Sequence, residues 1–122
     1  MEVPAISSLG TAPSIHQLYT PLLINTLHMR IEDIRKEIDK VDYEIVRHIA
    51  HRQELAGKIV KIKITKGLPV HDEQRTNAVL ESAFNCAVEY KIDPVTVQKI
   101  FEILIAMSEE RQRECSGEGN LP

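Results

Sequence analysis

The sequence predicts an all-α protein of three helices, and three observations carry that prediction. Apolar residues recur at helical spacing from Ile31 through Ile34, Ile38, Val41, Ile45, Ile49, Leu55, Ala56 and Ile59 to Ile62 without a break. Two later segments each open on an aspartate suited to cap a helix, Asp72 and Asp93. No stretch shows the polar/apolar alternation of a half-buried strand.

The first helix is expected from Ile31 to about Thr65. It closes at Lys66-Gly67-Leu68-Pro69, where Gly67 suits a left-handed cap and Pro69 bars continuation. After the Asp72 cap, Glu73 complements the dipole of a second helix reaching about Tyr90, with an apolar face of Val79, Ala83, Cys86 and Ala87. Asp93-Pro94 starts a third helix that runs to about Glu114. Residues 1–28 hold Pro4, Pro13 and Pro21 and a single charge, Glu2, without periodicity; they read as a flexible extension. Residues 29–115 are expected to form the functional domain, and Met29 reads either as an alternative start or as the trace of an engineered junction. Residues 116–122, with two glycines and a proline, read as a fraying, disordered tail.

Composition narrows the function. The chain has 122 residues, 43% apolar and 27% charged, enough for one domain with one core, and with no tryptophan that core must be aliphatic. A net charge of −3 provides no general basic field, so neither nucleic acid nor an anionic membrane is expected as a partner. Cys86 and Cys115 have no metal-ligand spacing and no disulfide framework; they read as free packing thiols in a reducing compartment. The apolar run Leu22–Leu27 is too short to span a membrane, and no basic region precedes it to make a secretory signal. A cytoplasmic protein is the expectation.

The first helix is long for a lone domain. Some 35 residues give about 50 Å, whereas a globule of about 90 residues is only about 30–35 Å across. Two shorter helices cannot cover its stripe, so an intertwined homodimer of long helices is expected.

Inside that stripe stand two cations, Arg52 and Lys63. At about 100° per residue they fall about 20° apart in azimuth, within the arc of Ile45, Ile49, Ala56 and Ile59. A charge taken out of water must be paired. The bland reading is an internal salt bridge to Glu54, Glu81 or a partner's acid. The sharper reading is a compact dianion, since the two Cα atoms are about 16 Å apart along the axis and long side chains from both converge over Ala56 and Ile59. Arg35, about 25 Å from Arg52, cannot serve the same pocket within one chain, but an antiparallel partner helix would deliver it. The third helix repeats the anomaly: Ser108 and Gln112 lie within about 60° of Phe101, on the face of Val97, Leu104 and Ile105. Taken singly, each reads as a satisfied polar group near a helix end. Asp72 and Arg75 have sufficient structural explanations as a cap and a surface residue.

Together these residues resemble the all-helical chorismate mutase family. The match covers roughly residues 31–114: Ile34-Arg35-Lys36-Glu37-Ile38-Asp39, Asp42, Arg52-Gln53-Glu54-Leu55-Ala56, Lys63, Pro69-Val70-His71-Asp72-Glu73-Gln74-Arg75, and Phe101-Glu102-Ile103-Leu104-Ile105 with Ser108 and Gln112. The resemblance implies a three-helix protomer in an interlocked dimer with two active sites, converting chorismate to prephenate for phenylalanine and tyrosine synthesis. It implies that Arg52 and Arg35 of the partner subunit hold the two substrate carboxylates. Lys63 and Gln112 would then face the ether oxygen, while Asp72, Arg75 and Ser108 line the pocket. One departure is Thr76, where the family often has Glu to accept a bond from the ring hydroxyl. A threonine accepts such a bond only through its own lone pair or a water, which leaves weaker substrate binding as one expectation.

A [3,3] rearrangement needs no nucleophile, metal or proton transfer, and the chain shows no catalytic triad, metal-ligand cluster or phosphate loop; no cofactor is expected. Two other readings stand beside the mutase. An isochorismate pyruvate lyase would share the fold and the cationic pocket. A noncatalytic dimerisation or regulatory module would use the polar seam to fix register. No fused dehydratase or dehydrogenase is expected.

Overall fold

The computed structural model describes residues 30–117, and every regular element among them is an α-helix. The expectations for residues 1–29, Met29 as a start or junction included, and for 118–122 lie outside the described residues. Helix α1 spans Ile31–Lys66, α2 spans Glu73–Glu89 and α3 spans Pro94–Ser116. The all-α, three-helix prediction holds, and α3 continues two residues past Glu114 to a cap at Gly117.

Each helix end follows from local chemistry. Glu32 and Asp33 sit in the first turn of α1 and Lys63 and Lys66 in the last, opposing the helix dipole at both ends. Gly67 adopts φ 67°, and the bonds Gly67 N–H to Ile64 O (3.2 Å) and Leu68 N–H to Lys63 O (2.8 Å) form a Schellman cap. Helix α2 starts where the Asp72 carboxylate accepts the Arg75 N–H at 3.1 Å. It ends in a second Schellman pattern, Lys91 N–H to Val88 O at 3.2 Å and Ile92 N–H to Ala87 O at 3.0 Å, which places Lys91 at φ 62°. Asp93 then caps α3 through Val95 N–H (3.3 Å) and the Thr96 hydroxyl, with Pro94 in the first turn.

Two compact units divide the chain, Met1–Ile45 and Val46–Pro122, with the boundary inside α1. In the described part of the first, Arg30–Ile45, no residue is buried; Ile31, Ile38, Val41 and Ile45 are each about half exposed. Surface pairs decorate it, among them Lys40–Glu37 at 3.2 Å, a contribution of a few tenths of a kcal/mol.

In the second unit the core is small. Among the described residues, Ala56 and Val60 of α1, Ala83 and Ala87 of α2 and Gln112 of α3 are the buried side chains. Alanines on α2 let α3 approach closely, and Gln98 of α3 donates to Leu80 O of α2 at 3.1 Å. The expected α3 face is confirmed, since Val97, Phe101, Leu104, Ile105 and Ser108 are half-buried and Gln112 is buried. Two packing expectations need correction. Cys86 and Cys115 are exposed in the single chain rather than packed. Val60, outside the expected stripe, is the most enclosed residue, while the stripe members Leu55, Ile59 and Ile62 remain about half exposed. Three helices of one chain enclose the flank of α1 carrying Val60 and leave much of the stripe bare. Among the described residues, no helix is long and apolar enough to cross a membrane.

Candidate active site

A cleft of about 240 Å³ opens in the second unit, lined by α1, the loop that follows it, the start of α2 and the end of α3. Leu55, Ala56 and Ile59 form an apolar floor, joined by Val79 and Ile105. Onto this floor the fold brings Arg52, Lys63, Asp72, Arg75, Thr76, Ser108 and Gln112, seven of the eight residues singled out from sequence. The eighth, Arg35, is an exposed residue of the first unit.

Arg52 and Lys63 converge because they share a helix face. Arg52 Nη1 donates to the Leu104 carbonyl of α3 at 3.0 Å. Lys63 Nζ donates to Val70 O of the loop at 2.7 Å and to Gln112 Oε1 at 2.8 Å. An ammonium has three donors, so one remains without a protein partner among the described residues. Gln112 Nε2 donates to Ser108 Oγ at 3.2 Å, and the amide is 5% exposed. Ser108, Gln112 and Lys63 therefore form one hydrogen-bonded chain across α3 and α1. Each polar group there has a partner, and among the described residues no buried side-chain nitrogen or oxygen lacks one.

Within the described residues of one chain, the salt bridges expected to Glu54 or Glu81 are not formed. None of Arg52, Lys63 and Arg75 has a carboxylate within 4.0 Å among the described residues, Glu54 and Glu81 included. Arg52 and Lys63 are met by carbonyl oxygens rather than carboxylates, which neutralises neither charge. Burial, and then the neighbouring charge of Arg75, pushes the Arg52 guanidinium below its ordinary pKa. Arginine stays charged even so. An incoming anion would relieve that repulsion, whereas a neutral ligand would not.

Two acids do line the cleft, and both are engaged elsewhere. The Asp72 carboxylate caps α2, so its expected structural role holds. Glu109 was not anticipated from the sequence. Its Oε1 meets His71 Nδ1 at 2.5 Å and its Oε2 lies 3.9 Å from Arg113. His71 Nε2 in turn meets Glu73 Oε2 at 2.8 Å. Both carboxylates raise the His71 pKa above its usual value, Glu109 more than Glu73. A signal for Glu109 was present, because it follows Ser108 and falls about 80° from Phe101 on the helical wheel. His71 lies in a loop, where periodicity gives no direction. The Thr76 hydroxyl has no protein partner among the described residues, while its backbone N–H bonds Asp72 O at 2.9 Å. Among the described residues no cluster of histidine, cysteine and carboxylate side chains is placed to hold a metal ion.

Helices and cleft together define a class: an all-α protein whose cleft sets cations without a carboxylate partner among the described residues, and a hydrogen-bonded donor chain, over an apolar floor. The chorismate mutase type II family matches residues 34–113, and the chain belongs to that family. It is similar to the chorismate mutase of Methanocaldococcus jannaschii, 32% identical over 85 residues, covering 70% of this chain and 86% of that protein. It is also similar to part of the bifunctional chorismate mutase/prephenate dehydratase of Aquifex aeolicus, 39% identical over 51 residues, 42% of this chain and 14% of that enzyme. The T-protein of Haemophilus influenzae is 36% identical over 52 residues, 43% of this chain and 14% of its own length. No solved structure matches the chain significantly. Family and relatives together support the activity of an isomerase, chorismate mutase.

Proposed function

We propose that this chain catalyses the rearrangement of chorismate to prephenate as a cytoplasmic homodimer, with each active site completed by Arg35 of the partner subunit. The observation that carries the reading is the pairing of Lys63 with Gln112 beside an Arg52 that no carboxylate among the described residues neutralises.

The substrate is a flexible dianion that must reach a chair-like form before its bonds exchange. Holding it there supplies several kcal/mol of the barrier, because orientation is fixed before reaction. Arg52, supported by Arg75, is suited to one carboxylate through the guanidinium fork, and Arg35 of the partner subunit to the other. As the C–O bond breaks, negative charge grows on the ether oxygen. Lys63 and Gln112 are the groups assigned to that charge, and their 2.8 Å hydrogen bond supports their acting together. Donors aimed at charge that develops only in the transition state raise turnover rather than ground-state affinity. Thr76 and the Asp72 backbone take the ring hydroxyl, and Ser108 holds the Gln112 amide in orientation.

The half-exposed stripe of α1 supports the dimer. Ile38, Val41, Ile45 and Ile62, each about half exposed, would each gain about 1 kcal/mol on burial of the remaining surface against a second copy. The test is an absorbance assay of chorismate consumption with the product identified. Prephenate is the expected product; release of pyruvate, or no consumption, contradicts the proposal.

A further inference from the structure

We propose that His71 and Glu109 form a positioning pair for Lys63: the imidazolium holds the Glu109 carboxylate out of the anion site while its own loop presents the Val70 carbonyl to the lysine. The proposal rests on the mutase reading for what the cleft binds, and the geometry of the pair stands apart from it.

Both ring nitrogens of His71 face carboxylate oxygens, Nδ1 at 2.5 Å from Glu109 and Nε2 at 2.8 Å from Glu73. A carboxylate only accepts, so both nitrogens must donate, and the ring that fits this arrangement is the doubly protonated imidazolium. His71 thereby ties the loop to α3 on one side and to the start of α2 on the other. The preceding residue, Val70, supplies the carbonyl that accepts from Lys63 at 2.7 Å. The clamp therefore acts on Lys63 through one peptide unit.

Glu109 gives the clamp its purpose. It lines a cleft built for a dianion, and its side chain is only 18% exposed. An acid at that position opposes the ligand's charge and competes with it for Lys63. In the structure it makes no ion pair with Lys63 or Arg52, because His71 takes one oxygen and Arg113 approaches the other. With His71 uncharged, Glu73 and Glu109 would both face it unneutralised apart from Arg113, and Glu109 would turn to Lys63. The charged groups facing His71 are thus Glu109 and Arg113 from α3, Glu73 from α2, and Lys63 of α1 through the Val70 carbonyl.

The sign of the pH effect follows. Glu109 and Glu73 hold the His71 pKa above its ordinary value, so the clamp is complete below that ordinary value and is lost as pH rises through the raised one. The KM for a dianionic substrate should rise over that interval.

The experiment combines substrate-free proton NMR titration of the His71 ring with kcat and KM for chorismate against pH, in wild type, His71→Gln, Glu109→Gln and the double variant. The expected titration lies above the usual histidine range in wild type and moves back toward it in Glu109→Gln. His71→Gln should raise KM by roughly tenfold to a hundredfold, the scale of displaced positioning groups, because the released Glu109 charge repels the dianion, lower kcat as Lys63 loses its alignment, and lose the rise of KM with pH. Adding Glu109→Gln should recover most of that loss. An ordinary His71 titration, unchanged KM in His71→Gln, or a double variant no better than His71→Gln would each overturn the proposal. Circular dichroism checks folding of His71→Gln, and the titration arm in Glu109→Gln decides the pair if that variant unfolds. Wild-type protein that leaves chorismate unconsumed while His71 titrates high overturns the mutase reading, not the pair.

Discussion

The two stretches of α1 carry the same apolar spacing and meet different fates. Between Val46 and Lys66, Ala56 and Val60 are buried, and Arg52, Gln53 and Lys63 reach groups on α3 or the following loop. Between Ile31 and Ile45 no residue is buried, although Ile31, Ile38, Val41 and Ile45 repeat at the same period. Periodicity records that a face is to be covered, without recording which chain covers it. On the proposed reading, the polar insertions in the covered stretch face a ligand, and the bare apolar face of the other stretch, with Arg35 at its edge, faces a second copy of the chain.

That contrast sets the order of its tests. The largest effect should come from the cations of the covered stretch: Arg52→Ala and Lys63→Ala should each reduce kcat by about 10² or more, the cost of removing one preorganised donor. Steady-state kinetics with circular dichroism would check this, and retained activity in folded variants would break the functional half of the comparison.

Next comes Val41→Asp, on the bare stretch. In a folded monomer this residue is 48% exposed, and a charge there should change stability by no more than about 0.5 kcal/mol. If a second chain covers it, the variant should dissociate or unfold at concentrations where wild type stays dimeric. Sedimentation distinguishes the two.

Helix caps should respond more modestly. Asp93→Ala removes the acceptor for Val95 N–H and Thr96 Oγ1 and should lower Tm by a few degrees. The Thr96 hydroxyl bond, above all, holds the Asp93 carboxyl below the usual carboxylate range. Its stabilisation is therefore present above the ordinary aspartate pKa and is lost as pH falls through the depressed value. Thermal melts of wild type and variant should converge in acid. Smallest is Lys91→Gly, which should raise stability by about 0.5 kcal/mol in denaturant titrations, since relief of a left-handed side-chain residue is partly offset by glycine's greater freedom in the unfolded chain.

These cases also show what was legible in the sequence. Gly67, Asp72 and Asp93 announce their turns because each acts on backbone groups a few residues away. Arg52, Lys63, Ser108 and Gln112 are visible because helical spacing alone fixes their azimuth. Lys91 gives no such signal, since the Schellman turn it closes commonly uses glycine. His71 and Glu109 were not legible as a pair, because 38 residues separate them and a loop residue has no predictable direction. Cys86 sits at a helical position read as packed, yet it remains exposed in the single chain.

One measurement reaches both stretches of α1 at once. Arg35→Ala and Arg52→Ala chains, each tested alone and then mixed under conditions where subunit exchange is confirmed, should be inactive separately. Together they should recover chorismate turnover, because each heterodimer holds one site with both arginines. A mixture that exchanges subunits and stays inactive would contradict an active site shared between two copies of the chain.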